Sequence, residues 1–266
     1  MNRNNPQSAF RIPQSAIRTP QSAFRIPQSA IFFLLPFFAC THYYYAPNSL
    51  QIPTLREQHD AVVTAGGVLG DEFRGWELQA AYSPLPYTML QFAHFDVQGD
   101  PSTAFSGTGQ QDGQGRLTEG ALGFYVPTGP TGVFSCSAGI GRGEVYNYYG
   151  DQVASRLNFR RLYIQPAIGF EGEMFRGGFA GRLVRLSYLN GSIDARIPTE
   201  DLDAIQRIEY NAPLLFPEFA ACLGAGFRPI FVQAQFNLCL ADSRYKFARS
   251  SIGLSITYQI AHLWKQ

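Results

Sequence analysis

Residues 251–260 read SIGLSITYQI, in which every second side chain is apolar. Ile252, Leu254, Ile256, Tyr258 and Ile260 fall on one face, and Ser251, Gly253, Ser255, Thr257 and Gln259 on the other. A period of two marks a β-strand with unlike faces, because successive Cβ atoms point to opposite sides of the pleat. Residues 230–240, IFVQAQFNLCL, repeat it: Ile230, Val232, Ala234, Phe236, Leu238 and Leu240 oppose Phe231, Gln233, Gln235, Asn237 and Cys239. Which face meets water decides the kind of molecule.

The alternation continues upstream through FAACLGAGF (219–227), RRLYIQPAIGF (160–170), GVFSCSAGIG (132–141) and GWELQAAYS (75–83). It blurs at 182–185 and 89–94, where a bulge or a slipped register would account for it. The spacing predicts an antiparallel all-β chain of about ten strands, with eight as the alternative count. They fall near 60–69, 75–83, 87–98, 116–126, 132–148, 157–171, 178–190, 216–226, 230–241 and 251–260. Short turns at SPLPY, PTGPT, MFRGG and FRPI alternate with longer loops at 99–115, 149–156, 191–215 and 242–250, while the connection near 70–74 is short.

Composition narrows the choice of face. Charged residues make up 15% of the 266, aromatics 14%, and there are 26 glycines, whereas a soluble domain carries about 25% charge. A water-facing sheet surface would be rich in Lys, Glu and Thr; here the polar face is mostly Gly, Ser, Ala and Gln. That chemistry fits a narrow lumen, with the apolar face turned to lipid. The expected lumen-facing residues are Glu77, Gln79, Arg161, Tyr163, Gln165, Glu171, Arg185, Gln233, Gln235 and Asn237. The alternative is a soluble, lipocalin-like barrel holding an apolar ligand inside. A net charge of +1 gives no electrostatic case for nucleic acid. Cys40, Cys136, Cys222 and Cys239 form no CxxC or Cys/His cluster, so neither a metal site nor a disulfide framework is expected. No cofactor is indicated.

On these patterns residues 59–266 resemble the small outer-membrane β-barrel proteins of Gram-negative bacteria. The resemblance implies an up-and-down transmembrane barrel with tight periplasmic turns, long external loops, outer-membrane lipid around it and both ends on the periplasmic side. It further implies a structural or binding role, with external loops meeting a partner that the sequence does not identify. Ten strands enclose little beyond their own side chains, so Glu77, Arg161, Glu171, Arg185 and the glutamines are expected to close the lumen. Aromatics flank the short turns: Tyr82, Tyr87, Phe124, Tyr125, Phe170, Phe175, Phe179, Phe227 and Phe231, as at a membrane interface. The ending AHLWKQ departs from the family's frequent terminal aromatic, a place Tyr258 would take.

The N-terminal part reads as an address. Near-copies of PQSAFRI recur from Pro6, and a proline in each excludes a coiled coil. Arg3, Arg11, Arg18 and Arg25 precede an apolar run at 30–39, and no acidic residue occurs before Glu57. A basic stretch before a short apolar one is the layout of a secretory signal; at about 1.5 Å per residue the run is too short to span a bilayer core. Phe37, Phe38, Ala39 and Cys40 resemble a bacterial lipobox, with Phe37 where Leu is usual and Phe38 bulkier than the usual small residue, which implies lipidation of Cys40; the alternatives are an ordinary signal peptide cleaved nearby, with Cys40 incidental, and a retained anchor. The expected organisation is a removed leader at 1–39, a tether at 40–58 and a barrel at 59–266.

Catalytic signals are sparse. His94 and Asp96 share a strand face and could orient one another, but no GxSxG, HExxH, P-loop or EF-hand pattern is present; an enzyme is not the expected reading. Gly139, Gly141 and Gly143 sit at period two and are expected to make room in the lumen. Within the longest loop, Thr199 would cap a short helix carrying Glu200 and Asp201 in its first turn, either a partner-binding knob or a solvated loop helix.

Overall fold

The computed structural model describes residues 42–70, 73–99, 113–150 and 152–260. The leader, Cys40, the loop at 100–112 and the AHLWKQ ending lie outside these residues. The strands are β1 (Ala61–Gly70), β2 (Phe73–Tyr82), β3 (Thr88–Gly99), β4 (Gly113–Thr128), β5 (Gly132–Tyr148), β6 (Ala154–Glu171) and β7 (Phe175–Ile193). After the helix α1 (Thr199–Asn211) come β8 (Leu214–Phe227), β9 (Ile230–Cys239) and β10 (Ser250–Gln259).

Each strand pairs antiparallel with its neighbours in sequence, and β1 pairs with β10 from Val62↔Gln259 to Gly70↔Ser251, closing the barrel. Closure removes both sheet edges and satisfies the backbone within the wall, as a hydrocarbon surrounding requires. No helix among the described residues is long and apolar enough to cross a membrane; the strands are the crossing elements. The turns at 83–87, 129–131, 172–174 and 228–229 mark one end, and α1 with the longer connections marks the other.

The wall is inverted relative to a soluble protein. Leu254 is 64% exposed, Leu122 60% and Ile168 60%, while Arg161 and Glu218 are fully buried. Water-soluble folds bury such apolar groups and leave such charges outside. The middle of the interior is polar, and the apolar cluster nearer the long-loop end is filled by the chain's own Tyr44, Tyr45 and α1 residues, which argues against the lipocalin-like alternative with an apolar ligand inside. Along β9 the outward residues Ile230, Val232, Ala234 and Phe236 are followed by Leu238 and Leu240. At about 3.4 Å per residue and a tilt near 40°, they cover roughly 25 Å of height, the thickness of an outer-membrane apolar band.

At the short-turn end Tyr82, Tyr87, Phe124, Phe170, Phe175, Phe179 and Phe227 face outward as a girdle. Tyr125 and Phe231 do not join it: they point inward and are buried. Tyr125 bonds Ser83 Oγ at 2.9 Å, and Arg176 lies over the Phe231 ring. Their parity places them inside, and proximity to a turn does not override parity.

The two blurred stretches are regular. In β3 Met89, Gln91 and Ala93 point inward and Leu90, Phe92 and His94 outward; apolar groups on both faces hid the alternation. In β7 Arg182 points inward and Arg185 outward, opposite Leu162 and Leu215. Arg185 is therefore not a lumen residue. Gly177, Gly178, Ala180 and Gly181 carry no facial signal, so the sequence offered little to set parity there. The irregularity in β6–β7 pairing lies at Asn158/Phe159, opposite Asn190 and Tyr188.

Candidate functional site, a lumen filled by residues 43–56

The chain does not enter β1 from the short-turn end alone. Residues 43–56 run in extended form through the barrel interior, and Tyr44, Tyr45, Asn48, Ser49, Leu50 and Leu55 are almost completely buried there. At the long-loop end the Tyr44 backbone N–H donates to Lys246 O at 3.1 Å, and Ala248 N–H donates to Tyr45 O at 3.0 Å. At the other end the Arg56 guanidinium donates to the Gly129 and Gly132 carbonyls of the β4–β5 turn, each at 3.2 Å. Although β1 begins and β10 finishes at the short-turn end, the segment before β1 thus arrives from the opposite mouth.

Beyond the parallel bridge between Tyr45 and Phe247 the extended segment has no ladder partner among the described residues, so its remaining peptide groups must be met by side chains. The wall glutamines and asparagines do this. Gln79 Nε2 donates to Ser49 O at 2.8 Å, Gln235 Nε2 to Leu50 O at 2.9 Å, and Gln165 Nε2 to Gln51 O at 2.6 Å. Nearer the long-loop mouth, Tyr188 OH donates to Tyr44 O at 2.8 Å and Asn147 Nδ2 to Tyr43 O at 3.1 Å. The Ser49 N–H donates to Glu77 Oε2 at 3.1 Å.

At mid-lumen Arg161 and Arg182 face Glu119 and Glu218, and the segment shares in this group. Arg161 bonds Glu119, the Tyr45 hydroxyl and, at 2.7 Å, Asn48 Oδ1. Arg182 reaches the same Asn48 oxygen at 3.0 Å, Gln165 at 2.8 Å and Glu218 at 3.5 Å. Tyr45 donates to Glu218 at 2.7 Å, and Asn48 Nδ2 to Glu119 at 3.0 Å. Lower down, Thr54 donates to Glu171 at 2.6 Å, and Arg228 reaches that carboxylate at 3.1 Å. Each buried charge thus has an opposite charge or a donor, the condition for keeping ions out of water.

Above this layer, Tyr44, Tyr45, Phe159, Phe216 and Phe247 pack beneath Ala204, Ile205 and Ile208 of α1. Thr199 is already helical and Pro198 holds the N-cap position, with no side-chain cap; the expected Thr199 cap is not made. Asp201, on the first turn, is only 3% exposed. Burial would raise its pKa, but His42 at 3.4 Å and Lys246 and Tyr44, each at 2.9 Å, outweigh that and hold it at about 2.

Of the lumen residues expected from sequence, Glu77, Gln79, Arg161, Tyr163, Gln165, Glu171, Gln233, Gln235 and Asn237 all face inward and are buried; Arg185 is the exception. A Cβ at Gly139 would overlap the Tyr163 ring, so that glycine does make room inside. Glu119, Arg182, Glu218 and the threaded segment were missed. Glu218 shares inward parity with Ala220 and was legible on that ground; residues 43–56 have no period to read. His94 and Asp96 face outward but do not meet: His94 bonds Thr118 at 2.7 Å and Asp96 pairs with Arg116 at 3.3 Å. Cys136, Cys222 and Cys239 are free thiols. Among the described residues no group of three or more His, Cys, Asp or Glu side chains could hold a metal ion.

A closed antiparallel wall, apolar outside and charged inside, defines a transmembrane β-barrel of the outer-membrane class. No protein-family model matches the sequence, and no curated protein does. Among solved structures the chain is similar to Ail, the attachment invasion locus protein of Yersinia pestis. Identity there is 9% over 76% of this chain and 99% of that one, with a TM-score of 0.36. It is also similar to a major outer membrane protein from Thermus thermophilus, at 11% identity over 77% of this chain and 100% of that one, TM-score 0.37. An outer membrane channel from Pseudomonas putida aligns at 9% identity over 80% of this chain and 100% of that one, TM-score 0.39.

Proposed function

We propose that this chain is an outer-membrane barrel closed by its own N-terminal segment, a display and binding platform and not an open pore. The observation that supports this most directly is the line of wall-to-backbone hydrogen bonds from Gln79, Gln165 and Gln235 to residues 49–51. Solute passage would require breaking these bonds and re-solvating the charges beside them. In planar bilayers the full chain is expected to give no conductance steps, and a variant lacking residues 43–56 that still migrates as a folded barrel is expected to conduct. Equal conductance from both would refute occlusion.

Residues 1–39 are read as an export signal and Cys40 as the acylated first residue of the mature chain. The direction of threading changes where such a lipid would lie. Cys40 precedes His42 by two residues, a reach of about 7 Å, and His42 contacts Asp201 at the long-loop mouth. An anchor on Cys40 would therefore belong to the long-loop side, and not to the periplasmic side on which the resemblance puts both ends. Mass analysis of the mature N-terminal peptide tests the acylation: a diacylglyceryl mass on Cys40, lost in Cys40→Ala, is expected. An unmodified peptide starting elsewhere would refute it.

A further inference from the structure

Above the apolar band the outer wall carries cations that no carboxylate among the described residues pairs. The outward arginines of β2–β7 are Arg74, Arg116, Arg142, Arg156, Arg160 and Arg185, and the outward carboxylates are Asp96 and Glu144. Asp96 pairs with Arg116, and Glu144 with Arg156. Arg142, Arg160 and Arg185, all exposed, occupy three adjacent strands on which the one outward carboxylate, Glu144 of β5, is already engaged by Arg156. Arg142 stands directly opposite Arg160, whose other neighbour is Ser187, which puts Arg185 on the diagonal. Like charges facing each other across a ladder destabilise it, and diagonal neighbours at about 7–8 Å are still within reach of long side chains. An anion seated among the three would reverse the sign of that interaction.

The wall below says which anion. Two residues nearer the short turns on the same face stand Ile140, Leu162 and Leu183, which are 51%, 38% and 45% exposed. That is a step of about 7 Å along each strand. A ligand lying on this face therefore meets hydrocarbon contacts and then, one headgroup's height above, guanidinium forks suited to phosphate oxygens. We propose that Arg142, Arg160 and Arg185 form a site for the phosphate-bearing headgroup of a lipid in the leaflet on the long-loop side, its acyl chains against Ile140, Leu162 and Leu183. The site rests on the membrane-spanning reading of the barrel.

The test uses the full chain in micelles of a phosphate-free maltoside detergent, titrated with bisphosphorylated lipid A, with fully dephosphorylated lipid A, and with inorganic phosphate as competitor. Heat-modifiable gel mobility is read on the same samples. Wild type should bind the phosphorylated lipid about a hundredfold more tightly than the dephosphorylated one, each basic residue at an anionic surface contributing several-fold. The variant Arg142→Gln/Arg160→Gln/Arg185→Gln should lose that preference, and Arg74→Gln should keep it. Equal binding of the two lipids by wild type overturns the site, and that comparison needs no variant to fold. Displacement of the lipid by millimolar phosphate also overturns it, assigning the patch to a free anion. Absence of the heat shift in wild type would instead sink the membrane reading itself.

Discussion

Asp201 ties three parts of the molecule together: α1, the β9–β10 connection through Lys246, and the threaded segment through Tyr44 and, just before it, His42. Its folded pKa of about 2 lies below the ordinary 3.8, so the folded state binds its proton less readily than the unfolded chain does. The contribution to stability is therefore complete above about pH 4 and is lost as pH falls from there through 2, amounting to about 2 kcal/mol. Urea midpoints of wild type and Asp201→Asn should differ at pH 6 and converge toward pH 2; a gap that persists at pH 2 would show that the carboxylate's charge is not what matters. Arg161 is a harsher case. Replacing it with Met leaves Glu119 and Glu218 sharing Arg182, at a cost of about 3–5 kcal/mol, and adding Glu119→Gln should recover part of that loss in the same denaturation measurement.

Glycines separate the inner from the outer face of a strand. A Cβ at Gly253 would stand 3.3 Å from Ser49 Oγ, whereas one at outward Gly67 has no neighbour closer than 3.7 Å. Gly253→Val is expected to cost about 1–3 kcal/mol by overpacking against the threaded segment, and Gly67→Val much less. Equal costs would mean that the lumen is not packed at residue 49. Strands were the most legible elements in the sequence: SIGLSITYQI and IFVQAQFNLCL each present whole faces of one character, and their parity holds residue by residue. Arg185 was misread because the neighbouring glycines and alanine carry no polarity to anchor the count. The threaded segment was unreadable for another reason. Its conformation is dictated by side chains distant in sequence, such as Gln165 and Gln235, and not by any period of its own.

At the scale of the whole molecule, two properties depend on each other: a wall that tolerates lipid outside and a lumen that tolerates charge inside. Trp76 tests the first. It faces outward at 50% exposure on β2, and Trp264→Phe leaves it as the remaining tryptophan. Its fluorescence in vesicles should be quenched strongly by brominated acyl chains and weakly by aqueous iodide, and the opposite order would contradict the inverted wall. The lumen is tested most directly by joining the threaded segment to it. A Cβ at Gly169 would lie 3.1 Å from Thr54 Cγ2, so Thr54→Cys and Gly169→Cys would bring two sulfurs within bonding reach. In a background with Cys40, Cys136, Cys222 and Cys239 changed to serine, mild oxidation of the folded barrel should yield one linked peptide containing positions 54 and 169, with both thiols protected from alkylation. Two separately alkylated thiols in protein that still shows the heat shift would contradict a barrel closed by its own N-terminal segment.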